Sequence, residues 1–128
     1  MILCLDTSTP TCHFSMIEGD WRYDTNWEAG RGLALGLLEF IEKEITFQEK
    51  AWSDVTGLVI FKGPGSFTGL RIGVTVFNTL AATNRWPIVG VQGEDWRRQG
   101  IARLAASEND ELVLPEYGGE AHITKPRK

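Results

Sequence analysis

Gly57-Leu58-Val59-Ile60-Phe61-Lys62-Gly63-Pro64-Gly65-Ser66-Phe67-Thr68-Gly69-Leu70-Arg71-Ile72-Gly73 is the stretch that decides how this chain folds. Gly57 to Phe61 is a short uncharged run of buried-strand character, and the glycines and proline after it are turn residues. A helix starts near Phe67 or Thr68, with Ser66 placed to cap it, and runs to about Asn84 before Pro87 ends it. Ile88 to Val91 supplies the next short strand. Strand, helix and strand in succession make a helical crossover between strands of one sheet.

Working outward, Ile2 to Leu5 is another short apolar run, closed by the turn-forming Asp6-Thr7-Ser8-Thr9-Pro10. Thr11 to Ile17 alternates, Glu18-Gly19-Asp20 is a hairpin signal, and Trp21, Tyr23, Thr25 and Trp27 share one face of a third strand. Between Leu33 and Ile45 the period becomes helical, with Ala34, Leu37, Leu38, Ile41 and Ile45 on one stripe. Glu94 to Ser107 reads as a third helix. Three antiparallel strands followed by two strands reached through helices predict an α/β fold. It is a mixed five-stranded sheet with three flanking helices, the RNase H-like arrangement. One domain is expected over residues 1–107, with an irregular tail over 108–128.

The chain has 128 residues, 42% hydrophobic and 23% charged, with 13 Lys+Arg against 17 Asp+Glu and a net charge of −4. That balance supplies no global positive field for nucleic acid, so RNA contact must be local or made through a partner. No run is long enough to span a membrane, and no basic segment precedes an apolar one at the start, so a cytoplasmic protein is expected. A turn near Ser8 would bring Cys4 and Cys12 opposite one another; both read as small core residues.

The turn from Gly63 to Gly69 presents amides at a helix start and can hold a phosphate, with Asp6, Gly63, Gly65 and Ser66 as the candidate residues. It is no Walker loop, since no Lys-Ser or Lys-Thr pair follows the glycines, and a purely structural turn fits equally well. Asp6 stands where nucleases of this fold keep a carboxylate, yet the strand at Gly57 to Phe61 runs into Lys62 rather than an acid, which disfavours nuclease chemistry. The simpler role for Asp6 is to bond the turn at Thr7 and Ser8. His13 and His122 have no zinc-type spacing, and Ser66 lacks a nucleophile elbow. Arg97, Arg98 and Arg103, and Lys125, Arg127 and Lys128 in the tail, are local basic clusters.

Ile72 to Asn84 contains no charged residue, and neither does Gly32 to Leu38. Two uncharged helix faces in a small protein read as an interface for another polypeptide, or as faces buried beneath the protein's own tail.

Leu3-Cys4-Leu5-Asp6-Thr7-Ser8-Thr9 together with the run from Lys62 to Val74 resembles the bacterial TsaB (YeaZ) family, over Met1 to about Ala106. Pro115-x-Tyr117 looks like that family's C-terminal segment. The resemblance implies the actin-like ATPase branch of the RNase H-like fold and a part in making threonylcarbamoyladenosine on tRNA. It implies a non-catalytic subunit that pairs through its first two helices with a TsaD-like transferase, which carries the metal and the ATP or ADP. A TsaE-like ATPase is a further implied partner, and tRNA contact is indirect. By position the docking residues would be Leu33, Leu37, Leu70, Ile72, Gly73, Val76 and Phe77. The chain departs from the family in three ways. Most of a second subdomain is missing after the third helix, the His-Ser pair at the start of helix one is replaced around Gly32-Leu33, and the zinc motif of relatives called glycoproteases is absent. A small nucleotide-binding ATPase using the glycine turn, and a homodimer using the same helices, are the alternatives.

Overall fold

The computed structural model describes residues 1–118. The order is β1 (Ile2–Asp6), β2 (Thr11–Glu18), β3 (Trp21–Glu28), α1 (Leu33–Phe47), β4 (Gly57–Phe61), α2 (Phe67–Asn84), β5 (Ile88–Val91) and α3 (Trp96–Ala105), with short 3-10 turns at Gly30–Gly32 and Trp52–Asp54. The sheet runs β3-β2-β1-β4-β5, antiparallel across β3, β2 and β1 and parallel across β1, β4 and β5. This is the five-stranded mixed sheet read from the sequence. Helix α3 starts at Trp96, two residues later than the sequence reading, and α1 extends to Phe47.

Strand alternation divides the core between the two faces of the sheet. Leu3, Leu5, Phe14, Met16, Leu58, Ile60 and Ile88 pack with Leu33, Leu37, Ile41 and Ile45 of α1 and with Val74, Phe77 and Ala81 of α2. Cys4, Ile17, Val59, Val89 and Val91 pack with Trp96, Ile101 and Leu104 of α3 on the other face. The cysteines therefore lie on opposite faces: Cys4 is paired with Ser15 and Cys12 with Trp27, so the turn at Ser8 does not bring them together. Burial pushes both thiols up to about 12, which keeps them protonated and unreactive.

Residues 108–118 are irregular yet tightly attached. Asp110 N–H donates to Ile88 O at 2.8 Å, and Gly90 N–H donates to Asp110 Oδ2 at 2.9 Å. Val113 is buried and both of its backbone groups bond the Asn78 amide, each at 2.9 Å. Glu116 N–H donates to Lys62 O, and Tyr117 stacks on Phe67 with ring centroids 4.1 Å apart. This segment straps β5, β4 and the outer flank of α2 together. His122, Lys125, Arg127 and Lys128, singled out in the sequence, lie outside the described residues.

Candidate functional site: the α1–α2 face and the glycine turn

The loop after β1 is locked onto the start of α2. Ser66 Oγ caps the helix by accepting from Gly69 N–H at 3.2 Å, as its position after the turn predicts. Thr7 is 1% exposed, and its hydroxyl donates to Gly69 O at 2.6 Å. A Cβ on Gly69 would strike Thr7 O, and one on Gly73 would strike Thr7 Oγ1. Gly69 and Gly73, four apart on one helix face, thus form a notch that Thr7 fills.

The four candidate phosphate residues end at the same corner of the sheet. Asp6 Oδ1 accepts from Ser8 N–H at 2.8 Å, Ser66 N–H donates to Ser8 O at 2.8 Å, and Gly65 stands against Ser8. Gly63 has φ 131°, faces the Glu116 carbonyl, and its own carbonyl accepts from Gln92 Nε2 at 3.0 Å. The amides of Ser66 and Gly69 and one Asp6 oxygen are therefore engaged within the protein. Asp6 bonds the turn, the simpler of its two sequence readings. Among the described residues no three His, Cys, Asp or Glu side chains come together as a metal site.

Helices α1 and α2 lie side by side, and a cleft of about 510 Å³ opens at their N-terminal ends, lined by Pro10, Arg31, Leu33, Ala34, Thr68 and Ile72. It continues as a shallower groove of about 360 Å³ bounded by Ala34, Arg71, Ile72, Thr75 and Val76. The structure redraws the docking surface expected from the sequence. Leu33, Leu37, Leu70, Gly73 and Phe77 face inward and are buried in this chain's own core, because the regular stripe of each helix is the one that meets the sheet. Ile72 and Val76 are half-buried and line the groove. In the first half of α1 the outward large apolar residues are Leu35, 96% exposed, and Leu38, 50% exposed, while Phe47 at the far end is 79% exposed. The signal for Leu35 was present in the sequence, as a leucine off the 33-37-41-45 stripe. Across the groove Thr68, Thr75 and Thr79 are exposed and uncharged, with Arg71 beside them and Arg31 at the cleft end. The tail covers a different flank of α2, around Asn78 and Phe67, and leaves the groove open.

A family model described as "TsaD: tRNA N6-adenosine threonylcarbamoyltransferase" matches residues 28–96, more than half of the chain. The tRNA threonylcarbamoyladenosine biosynthesis protein TsaB of Escherichia coli is 31% identical over 114 residues, covering 83% of this chain and 48% of that protein. TsaB of Bacillus subtilis is 32% identical over 121 residues, covering 91% and 49%. The chain thus spans about half the length of these curated relatives. Among solved structures, YeaZ from Pseudomonas aeruginosa superposes with a TM-score of 0.67 at 28% identity, over 77% of this chain and 49% of that one. A second, titled as an uncharacterized Pseudomonas aeruginosa protein with similarity to peptidase YEAZ, gives 0.68 with the same identity and coverage. The shared architecture is the RNase H-like fold anticipated from the element order, in the actin-like branch that the resemblance implies. Taken with the motifs after β1 and β4, these matches show that the chain belongs to the TsaB (YeaZ) family of tRNA threonylcarbamoyladenosine biosynthesis proteins.

Proposed function

We propose that this chain is a non-catalytic subunit in threonylcarbamoyladenosine biosynthesis, and that it binds and stabilises a TsaD-like transferase by laying the α1–α2 face against it. The observation that carries this reading is Leu35, 96% exposed on an uncharged helix turn and next in sequence to Ala34, which bounds the open groove of Ile72 and Val76. A water-facing leucine on an uncharged helix turn, near a mostly apolar groove, has the composition of an interface centre rather than of a solvated surface. Burying one such side chain contributes about 1.5–3 kcal/mol.

In this reading ATP or ADP and the metal reside on the partner, and the glycine turn serves to fasten β1 to α2. A TsaE-like ATPase joins through the assembled pair, tRNA is met through the partner, and the assembly works in the cytoplasm. No helix among the described residues is long and apolar enough to cross a membrane.

The test is titration calorimetry of the chain against the TsaD-like transferase of the same source. Leu35→Asp and Val76→Asp should each weaken binding at least about tenfold, given the burial energy of one apolar side chain. Unchanged affinity in both folded variants contradicts the docking face. Calorimetry with ATP and magnesium on the chain alone should give no heat at millimolar ligand; measurable binding there would favour the nucleotide-binding alternative.

A further inference from the structure

Charge is unevenly distributed around the α1–α2 face. From Ala29 to Leu38, and again from Val55 to Gly93, the chain carries no Asp or Glu, although its net charge is −4. Neither the 3-10 turn before α1 nor the first turn of α1 or α2 holds an acid. The cleft opens where the N-terminal ends of the two helices meet, so both helix dipoles add positive potential to it. Arg31 lines this cleft and Arg71 bounds the groove that continues from it, the two openings sharing Ala34 and Ile72.

These two arginines lack what other cations of the chain have. Arg22 pairs with Asp24, Lys50 with Glu18, Arg98 with Asp95, and Arg103 with Glu108 and Asp110. Among the described residues neither Arg31 nor Arg71 is in an ion pair. The acids at the same end of the sheet are engaged elsewhere, Asp6 with Ser8 N–H and Glu28 with the Thr11 hydroxyl. Arg71 is held instead by an aromatic ring: its guanidinium carbon lies 5.2 Å from the centre of Phe67, on which Tyr117 also stacks. Helical side chains lean toward the N-terminus of their helix, which carries the Arg71 charge toward the cleft.

We propose that the TsaD-like transferase presents acidic side chains to Arg31 and Arg71, so that its docking face is apolar where it fills the groove and negative where it meets the helix N-termini. This rests on transferase docking at the α1–α2 face and adds the partner's chemistry. When a partner covers the groove both guanidinium groups lose water, and a cation desolvated without a counter-charge opposes the contact. A carboxylate is the matching group, because the planar guanidinium donates to its two oxygens in parallel. A phosphate ion fits less well. Its usual cradle at a helix start is made of backbone amides, and here Ser66 N–H donates to Ser8 O and Gly69 N–H to Ser66 Oγ. Leu33, Ala34 and Ile72 in the lining suit a packed protein face rather than a hydrated ion.

Calorimetry of the chain with the TsaD-like transferase of the same source, repeated across a salt series, tests the charges. Both arginines are exposed, so their replacement should leave folding intact. Arg31→Glu and Arg71→Glu should each weaken binding at least about tenfold, because like charges then face one another. Arg71→Lys keeps the charge without the fork and should retain more affinity than Arg71→Glu. In the double variant Arg31→Gln, Arg71→Gln, the logarithm of the affinity should fall less steeply with salt than in the parent. Unchanged affinity in both charge reversals, or an unchanged salt slope in the double variant, overturns the acidic contact; if Leu35→Asp still weakens binding, the docking face itself stands. Unchanged affinity in the reversals and in Leu35→Asp alike overturns both.

Discussion

Gly73 has no room for a side chain because Thr7 fills the space in front of it, and that contact, with the Thr7 hydroxyl on Gly69 O, helps tie the loop after β1 to α2. Gly73→Ala should destabilise the fold by about 1–3 kcal/mol, the usual cost of overpacking, read as a lowered midpoint in chemical unfolding. The same substitution in a Thr7→Ala background should cost less, since the colliding hydroxyl is gone; equal costs in both backgrounds would show that the two residues do not meet. Asp110 is the second position at which one residue holds a segment. Burial raises its carboxyl, but bonds from Arg103 and from Gly90 N–H outweigh that and hold it below the usual aspartate range. A carboxyl depressed in the folded state contributes stability above its unfolded value of about 3.9 and loses it as pH falls through the folded value. Acidification below about pH 4 should therefore loosen residues 108–118 first, which hydrogen exchange at the Gly90 amide will report. Asp110→Asn should remove that acid dependence.

At the scale of elements, the outer flank of α2 depends on Asn78, whose side-chain amide takes the place of a neighbouring strand for Val113. Asn78→Ala removes two bonds and leaves the Val113 groups without partners, at about 1 kcal/mol per bond. Limited proteolysis should then cut the segment after Ala106 faster than in the parent, with α1 and the sheet unchanged. This strap was not legible in the sequence, where residues 108–118 show only turn-formers and no period: its bonds run to Asn78, Ile88, Gly90 and Lys62, which local pattern cannot connect. The strands and helices were legible, because alternation and a 3.6-residue stripe are local properties. Which side of α1 and α2 met the sheet was harder. When both sides of a helix lack charge, the pattern groups residues by face without saying which face is inside, and so the docking residues that the resemblance implies include Leu33, Leu37, Leu70, Gly73 and Phe77, which the fold buries. The glycines of the turn stand out, whereas the reason for them, Thr7 arriving from the loop after β1, 62 residues before Gly69, appears only in the fold.

At the scale of the whole molecule, one sheet separates three surfaces. Helix α3 and the polar outer sides of β2 and β3 occupy one face, the strap closes the β5 edge, and the α1–α2 groove stays open on the other face, bounded by Ala34 with Leu35 exposed next to it in sequence. In the proposed assembly a TsaD-like transferase covers that open groove. The most direct measurement is site-specific photo-crosslinking in the reconstituted complex, with a photoreactive residue replacing Leu35 in one preparation and the equally apolar, exposed Leu112 in another. An adduct to the transferase from position 35 and none from position 112 is the expected result. An adduct from position 112 with none from position 35 would contradict the docking face.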